Sequence, residues 1–263
     1  METTTDPKVL KAAIAEVTKE SPVDIKTVPP SNNEVSLPGG FITQEGTLVK
    51  YAEVRELNGA DEEAIAKAGS LGRVLTTILQ SGLVSLGGEK VKKEDLEELL
   101  AADRDAIWLA IRKVTFGSVV DYSYTCPSCG EASAVEIDLD ADVPVTELAN
   151  PIEDRKWVVE IKAGTAVLTI PNGQTQKLLM ESTDKTTAEL NTILLEGCLL
   201  GINGKGSLGR STVLKLGMAD REKLVKEVLE KNPGPRLGEV TKTCEACGAV
   251  INTPLSLVAL FRL

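Results

Sequence analysis

Two short cysteine segments constrain the fold of this 263-residue chain more than any other feature. The first has the sequence Thr-Cys-Pro-Ser-Cys-Gly over residues 125–130, and the second has Thr-Cys-Glu-Ala-Cys-Gly over residues 243–248. Each segment can present two thiolates from one tight turn, and the final glycine allows the positive φ that closes the turn. Two such turns at the tips of β-hairpins predict a four-cysteine zinc ribbon. Its ligands would be Cys126, Cys129, Cys244 and Cys247.

The same four thiols leave other chemistry open, namely two disulfides, a redox-active pair or an iron–sulfur cluster. Zinc is favoured because the two segments match in length and both end in glycine, whereas a redox motif normally occurs once, after a strand. Four thiolates fill a tetrahedral coordination sphere, so we expect one structural Zn²⁺ per chain. The fifth cysteine, Cys198, lies in an apolar helical run and is expected to be a buried thiol.

The 114 residues 130–243 separate the two cysteine pairs, whereas a compact ribbon has about 15–20 residues at this point. A whole subdomain inserted between the two halves of the ribbon explains this spacing most simply. The longer loop is tolerable because each doubling of loop length costs only about 0.6 kcal/mol. Within it, residues 157–161 and 166–170 are predicted to pair as strands, and residues 218–231 to form an amphipathic helix.

The whole pattern predicts an α+β fold with a helical N-terminal part and a split zinc ribbon that carries an inserted α/β subdomain between its two knuckles. Asp61 and Asp103 are expected to cap helices in the N-terminal part, from Glu62 and Arg104 onward. The predicted segments are an amphipathic helix and proline-rich linker (1–34), a mainly helical domain (35–118), the first half of the ribbon (119–140), the inserted subdomain (141–238), and the second half of the ribbon with an apolar C-terminus (239–263).

Apolar residues near both ends of the chain are candidate contacts for a partner protein. The first helix has an apolar stripe with a charged opposite face, and such a helix on a linker can dock on a partner as well as on its own domain. The last residues of the chain are apolar too. The candidate contacts are Val9, Leu10, Ile14, Val17, Leu260, Phe261 and Leu263.

Composition excludes several functions. The chain has no histidine, so it cannot have a Ser-His-Asp site or a histidine-ligated metal. Its 39 acidic and 29 basic residues give a net charge of −10, which argues against nucleic-acid binding. No secretory signal and no apolar run of about 18 residues is visible, so a cytoplasmic location without a membrane span is expected. An enzyme that uses Asp103 or Asp105 stays open.

Short motifs occur along the chain in an order that resembles a known family. They are Leu37-Pro38-Gly39-Gly40, the stretch 54–63, Asp103-Arg104, Phe116-Gly117 and the terminal Leu260-Phe261-Arg262-Leu263. Together with the paired cysteines they resemble, from about residue 35 to residue 263, the T-even-phage baseplate family. This family comprises the baseplate hub assembly proteins of contractile-tailed phages and related contractile injection systems.

The resemblance implies a non-enzymatic structural or assembly role. Its partners would be other baseplate, hub or tail-tube proteins, with no nucleic acid, membrane or small-molecule substrate. The chain would be cytoplasmic when made and, as a resident component, would enter the tail of the particle. A zinc-ribbon adaptor of transcription or RNA processing is the alternative. The sequence does not separate a resident component from an assembly chaperone that leaves.

Overall fold

A computed structural model describes residues 25–26, 33–206 and 209–261, and these residues form a mixed α+β fold. The strands are β1 (Ile25–Lys26), β2 (Glu34–Ile42), β3 (Leu48–Val54), β4 (Leu83–Leu86), β5 (Glu89–Lys90), β6 (Val119–Thr125), β7 (Ala132–Asp138), β8 (Val145–Thr146), β9 (Lys156–Ile161), β10 (Gly164–Thr169), β11 (Leu199–Ile202), β12 (Lys205–Gly206), β13 (Gly234–Pro235), β14 (Glu239–Thr243) and β15 (Val250–Pro254). The helices are α1 (Gly59–Ala66), α2 (Leu71–Gly82), α3 (Asp95–Glu98), α4 (Ala101–Phe116), α5 (Gly173–Glu181), α6 (Thr187–Cys198), α7 (Arg210–Lys215), α8 (Met218–Lys231) and α9 (Leu257–Phe261).

The first apolar core lies between a small sheet and two helices. In the sheet, β3 pairs with β1, β2 and β4, and β5 forms one edge. Helices α2 and α4 cover it, and Ile107, Trp108 and Ile111 of α4 are all 0% exposed. The indole N–H of Trp108 donates to the carbonyl oxygen of Leu75 at 2.9 Å, so the one polar atom of this side chain is satisfied inside the core.

The sequence analysis predicted mainly helical structure between residues 35 and 118, and this is incomplete. Residues 34–54 form the antiparallel hairpin β2–β3, and residues 83–90 form β4 and β5. The β-branched and aromatic residues Val49, Tyr51 and Val54 suit a strand. Gly40 lies in the irregular part of β2 with φ 71°, a conformation that glycine adopts without strain.

Two of the predicted helix caps are also in the wrong place. Asn58 is the N-cap of α1, and Asp61 is the third helical residue, whose carboxylate accepts from the Asn58 N–H at 2.9 Å. This is a capping box, in which the two side chains satisfy each other's backbone donors. Helix α4 begins at Ala101, with Leu100 at its N-cap, so Asp103 lies inside the helix.

The two cysteine hairpins, β6–β7 and β14–β15, pack against the first core. Val120 and Ile137 of the first hairpin and Val240 of the second hairpin belong to that core, together with Leu255 and Leu257 beyond the second hairpin. Residues on both sides of the intervening segment therefore meet in one apolar cluster.

The segment between the hairpins builds a second apolar core. Its sheet has the order β12-β11-β10-β9, and β9 and β10 pair antiparallel as predicted. Helices α6 and α8 cover this sheet, with Leu195 and Leu224 both 0% exposed. The predicted helix over residues 218–231 is α8. The second core is joined to the first, because the N–H of Gly173 at the start of α5 donates to the Leu99 carbonyl at 2.7 Å.

The predicted N-terminal helix with Val9, Leu10, Ile14 and Val17 lies outside the described residues, as does Leu263. Within the described part of the chain, no helix is both long enough and apolar enough to cross a membrane. The domain boundaries drawn from the sequence stay predictions.

Candidate metal centre

The first cysteine turn joins β6 to β7 and is closed by backbone hydrogen bonds. The N–H of Cys126 donates to the Glu131 carbonyl at 2.8 Å, and the N–H of Gly130 donates to the Cys126 carbonyl at 2.9 Å. The second of these bonds spans four residues, so it folds the chain tightly around the pair of cysteines. Gly130 has φ 75°, which explains why glycine follows the second cysteine.

The second cysteine turn, between β14 and β15, repeats this geometry. The N–H of Cys244 donates to the Ala249 carbonyl at 2.8 Å, and the N–H of Gly248 donates to the Cys244 carbonyl at 2.8 Å. Gly248 has φ 73°. The two turns are therefore structural repeats as well as sequence repeats, and the expectation of matched knuckles holds at the level of the backbone.

The four sulfur atoms come together at one place, all within 4.8 Å of one another. The Sγ–Sγ distance is 3.8 Å between Cys126 and Cys247 and 3.9 Å between Cys129 and Cys244. These distances match the ~3.8 Å edge of a tetrahedron whose centre binds four sulfurs at ~2.3 Å. All four cysteines are free thiols, so the cluster can hold a metal ion.

The environment of the sulfur atoms favours thiolates at two of the four positions. The pKa of Cys244 is lowered to about 6 by a hydrogen bond from the Tyr124 side chain, then by the Cys247 and Ala246 N–H groups. The pKa of Cys126 is lowered in the same way by the N–H groups of its own turn. Backbone donors on one residue of each pair therefore prepare an anionic centre.

The pKa values of the other two thiols, Cys129 and Cys247, are raised. The N–H of Glu131 lowers the pKa of Cys129, but the neighbouring sulfur atoms, Cys247 first, outweigh it and raise that pKa to about 12. Four negative charges this close together repel one another strongly. A bound cation removes this repulsion, and four sulfur donors suit zinc.

Further contacts join the two hairpins beside the sulfur atoms. Lys242 of the second hairpin forms an ion pair of 2.5 Å with Asp142, a residue just beyond the first hairpin. The buried sulfurs Cys126 and Cys244 pack with Ile251, and Tyr124 packs against this small cluster. The sequence analysis did not single out Tyr124, because a tyrosine in a strand gives no sign of a sulfur partner on another hairpin.

Of the two carboxylates that the sequence leaves open as catalytic groups, Asp103 is buried and Asp105 is partly buried. Asp103 is 0% exposed, and its Oδ1 accepts from the Gly39 N–H at 2.7 Å. Burial raises the pKa of Asp103 to about 6, and the Gly39 N–H and the Arg155 charge oppose this rise. Arg155 donates to the carbonyl oxygens of Gly39 and Gly40. Asp103 and Arg155 thus fix the Pro38-Gly39-Gly40 stretch from two sides.

Asp105 is tied to the segment between the hairpins, whereas Arg104 contacts residues of the first core. The Gln176 side chain of α5 donates to the Asp105 carboxylate at 2.7 Å. Burial raises the pKa of Asp105 to about 7, against the opposing effects of Gln176 and Arg104. Arg104 is 2% exposed, donates to the Leu96 carbonyl at 3.2 Å and lies 5.1 Å from the Trp108 ring centroid. These charged groups connect parts of the scaffold.

The C-terminal candidates for partner contact are covered by their own chain. Leu260 is 1% exposed and Phe261 is 8% exposed, and both belong to the first core. The buried Arg112 of α4 donates from Nε to the Leu260 carbonyl at 2.7 Å. Helix α9 is therefore hydrogen-bonded to α4, and the side chains of Leu260 and Phe261 are buried within their own chain.

The family comparison supplies the next observation. Residues 53–170 match the family model described as T4 bacteriophage base plate protein. This is slightly less than half of the chain, and it confirms the resemblance for this segment. No curated protein and no solved structure gives a significant match. The wider extent of the resemblance, over residues 35–52 and 171–263, stays a prediction.

The segment that matches the T4 base plate family contributes at least one partner to each of the interior bonds of Asp103, Asp105 and Arg112, and the other partner of each lies outside the match. It includes the first cysteine pair but not the second. It also includes Arg55, which forms an ion pair with Asp61 at 2.8 Å and thereby ties the end of β3 to the start of α1. The motif residues Asp103 and Arg104 are buried in the same segment. In this chain the motif residues maintain the fold.

Proposed function

We propose that this chain is a non-enzymatic component or assembly protein of a contractile-tail baseplate and acts through contacts with other proteins. The observation that carries the proposal is the match of residues 53–170 to the T4 base plate protein family. Its partners would be other baseplate, hub or tail-tube proteins. It would be made in the cytoplasm, and as a resident component it would be part of the tail.

The geometry supports a structural role. Asp103, Arg104 and Arg112 are at most 3% exposed, and each contacts backbone of another segment. A catalytic acid or base must reach the proton that it transfers, so Asp103, which is enclosed by its own chain, is a poor candidate. The charges of these three residues instead hold a set of loops and helix ends in place.

We further propose that the cysteine cluster binds one structural Zn²⁺ per chain through Cys126, Cys129, Cys244 and Cys247. Four sulfur donors at tetrahedral spacing, with backbone N–H groups directed at them, fit zinc and leave no coordination position for a substrate. The ion would hold the two hairpins together and neutralise their thiolates. Binding of structural zinc contributes about 10–16 kcal/mol in small peptides, which is large compared with the stability of a domain.

The test of the baseplate role is quantitative mass spectrometry of purified tailed particles and of their assembly intermediates. A fixed copy number in particles would support a resident component. Presence in intermediates but not in particles would support an assembly chaperone. Absence from both would overturn the proposal. The sheath and tube proteins of the same preparation provide the reference for copy number.

The test of the metal is elemental analysis of the full chain, purified in reducing buffer and folded, as judged by circular dichroism. We expect one zinc per chain. A chelator should remove this zinc, and a thiol-sensitive dye should then detect the exposed cysteines. Cys126→Ser should abolish stoichiometric zinc, and Cys198→Ala should keep it, because Cys198 is enclosed in the second core. A folded native chain with no zinc would refute the site, and so would equal zinc content in both variants.

A further inference from the structure

The two cysteine turns have the same backbone geometry but differ in the residue two positions before the first cysteine. This residue is Tyr124 in the first hairpin and Lys242 in the second. The Tyr124 hydroxyl donates a hydrogen bond to Sγ of Cys244, on the other hairpin. The Lys242 ammonium instead pairs with the Asp142 carboxylate at 2.5 Å. Only the first hairpin therefore provides a side-chain donor of this kind to a sulfur of the other, within the described part of the chain.

The four sulfur atoms consequently differ in their hydrogen bonds and in their exposure. Sγ of Cys244 accepts from the Tyr124 hydroxyl and from two N–H groups of its own turn. Sγ of Cys126 accepts from two N–H groups of its turn, without a tyrosine. The sulfurs of Cys129 and Cys247 accept from one backbone N–H each, and these two cysteines are exposed, whereas the other two are 1% exposed. Cys244 is thus the sulfur with the most complete surroundings.

Packing holds the Tyr124 ring in the place where its hydroxyl reaches this sulfur. The residue is half-buried and lies in β6, where it pairs with Ser133 of β7. Its side chain packs against the small cluster of Cys126, Cys244 and Ile251. A donor that is fixed by both a strand and apolar contacts loses little conformational entropy when it forms its hydrogen bond. Such a donor can orient a sulfur atom before any metal ion binds.

A hydrogen bond to a thiolate ligand fixes the direction of its lone pairs and withdraws electron density from the sulfur. We propose that Tyr124 is a positioning residue of the metal centre: its hydroxyl keeps the bond to Sγ of Cys244 in the zinc-bound protein and strengthens zinc binding by orienting this ligand. The inference rests on the proposed zinc site and adds a fifth residue to it. Through this bond the first hairpin would orient a ligand that belongs to the second hairpin.

The first measurement is the zinc affinity of the full-length chain, determined by competition with a chelator. Tyr124→Phe removes the hydroxyl oxygen and keeps the ring, and its zinc affinity should fall about tenfold, as is typical when the partner of a metal ligand is lost. Tyr122→Phe is the matched control. Tyr122 lies on the same strand, is also half-buried, and its hydroxyl has no hydrogen-bond partner among the described residues. This variant should bind zinc like the native chain.

The second measurement separates the hydrogen bond from packing and uses Co²⁺ in place of zinc. The sulfur-to-cobalt charge-transfer band should move to longer wavelength in Tyr124→Phe, because a sulfur without its donor gives up an electron more easily, and it should stay unchanged in Tyr122→Phe.

An unchanged zinc affinity or an unshifted cobalt band in Tyr124→Phe would overturn the inference, and so would equal shifts in both variants. These outcomes leave the zinc site itself intact. A folded native chain that binds no zinc would instead refute the zinc site, and the role of Tyr124 with it. Circular dichroism of each variant verifies that the fold is intact.

Discussion

Replacement of Asp103 by Asn tests how the family motifs stabilise this fold. Asp103 is fully buried, accepts from the Gly39 N–H through Oδ1, and has no hydrogen-bond partner at Oδ2. Asparagine has nearly the same shape and retains an acceptor for Gly39, but it carries no charge. The native and variant proteins therefore differ in whether this position titrates.

The expected size of the effect follows from the pKa. Burial raises the pKa of Asp103 from 3.8 to about 6, so the folded state holds the proton more tightly than the unfolded state. The resulting stabilisation is complete below about pH 3.8 and is lost as the pH rises through 6. A difference of about two pKa units corresponds to about 3 kcal/mol over the whole range, of which about 1.4 kcal/mol is lost between pH 5 and pH 7.5.

The assay is urea unfolding of both proteins, saturated with zinc, at pH 5 and at pH 7.5. Any packing penalty of the asparagine is the same at both pH values. Both proteins carry Asp105→Asn, because the charge of Asp103 contributes to the raised pKa of Asp105 and the titration of Asp105 would otherwise differ between them. The free energy of unfolding of the Asp103→Asn protein relative to the protein that retains Asp103 should therefore rise by about 1.4 kcal/mol from pH 5 to pH 7.5. No change in this difference, or a change of opposite sign, would refute the raised pKa.

Two further predictions concern contacts that join segments of the chain. A Cβ at Gly173 would lie 2.3 Å from the Leu96 carbonyl oxygen, so Gly173→Ala should destabilise the protein by about 1–3 kcal/mol in thermal or urea unfolding. A Cβ at Gly59 meets nothing within 4 Å, so the control Gly59→Ala should stabilise the protein by about 0.5–1 kcal/mol. Equal effects of the two would contradict the close approach at Gly173. Arg112→Met should cost about 2–4 kcal/mol, because the Leu260 carbonyl loses a buried charged donor, and hydrogen exchange should increase in α9 first. Unchanged protection in α9 would count against this bond.

Local patterns in the sequence were sufficient to predict some elements. The helix over residues 218–231 has apolar residues at helical spacing and ends before Pro233-Gly234-Pro235, so local information determines both its face and its end. The strand pair around residues 157–161 and 166–170 has a similarly clear apolar alternation. The mixed α+β fold and the convergence of the four cysteines follow from such signals and from the repeat of one motif.

Other features depend on contacts that are distant in sequence, and no local pattern reveals them. The β2–β3 hairpin contains Pro38, Gly39 and Gly40, which weaken the strand signal, and its stability comes from packing against α4. Asp103 was expected at a helix start because aspartate favours such positions, but its partner is Gly39, 64 residues earlier. The burial of Leu260 and Phe261 likewise depends on packing against residues of the first core that are distant in sequence.

The position of the cysteine cluster explains how the chain can interrupt a ribbon with a long segment. The first core contains Ile137 from before that segment and Val240 and Leu255 from after it, so apolar burial already brings the second hairpin back to the first. Closing a loop of about 100 residues costs about 4.7 kcal/mol, which is less than the binding free energy of structural zinc, about 10–16 kcal/mol. The part of the zinc-binding free energy that exceeds this closure cost would hold the two hairpins in one orientation. Apolar contacts are non-directional and do not specify such an orientation by themselves. In the proposed function, the zinc ion would set the geometry of the hairpins, while the core determines that they meet.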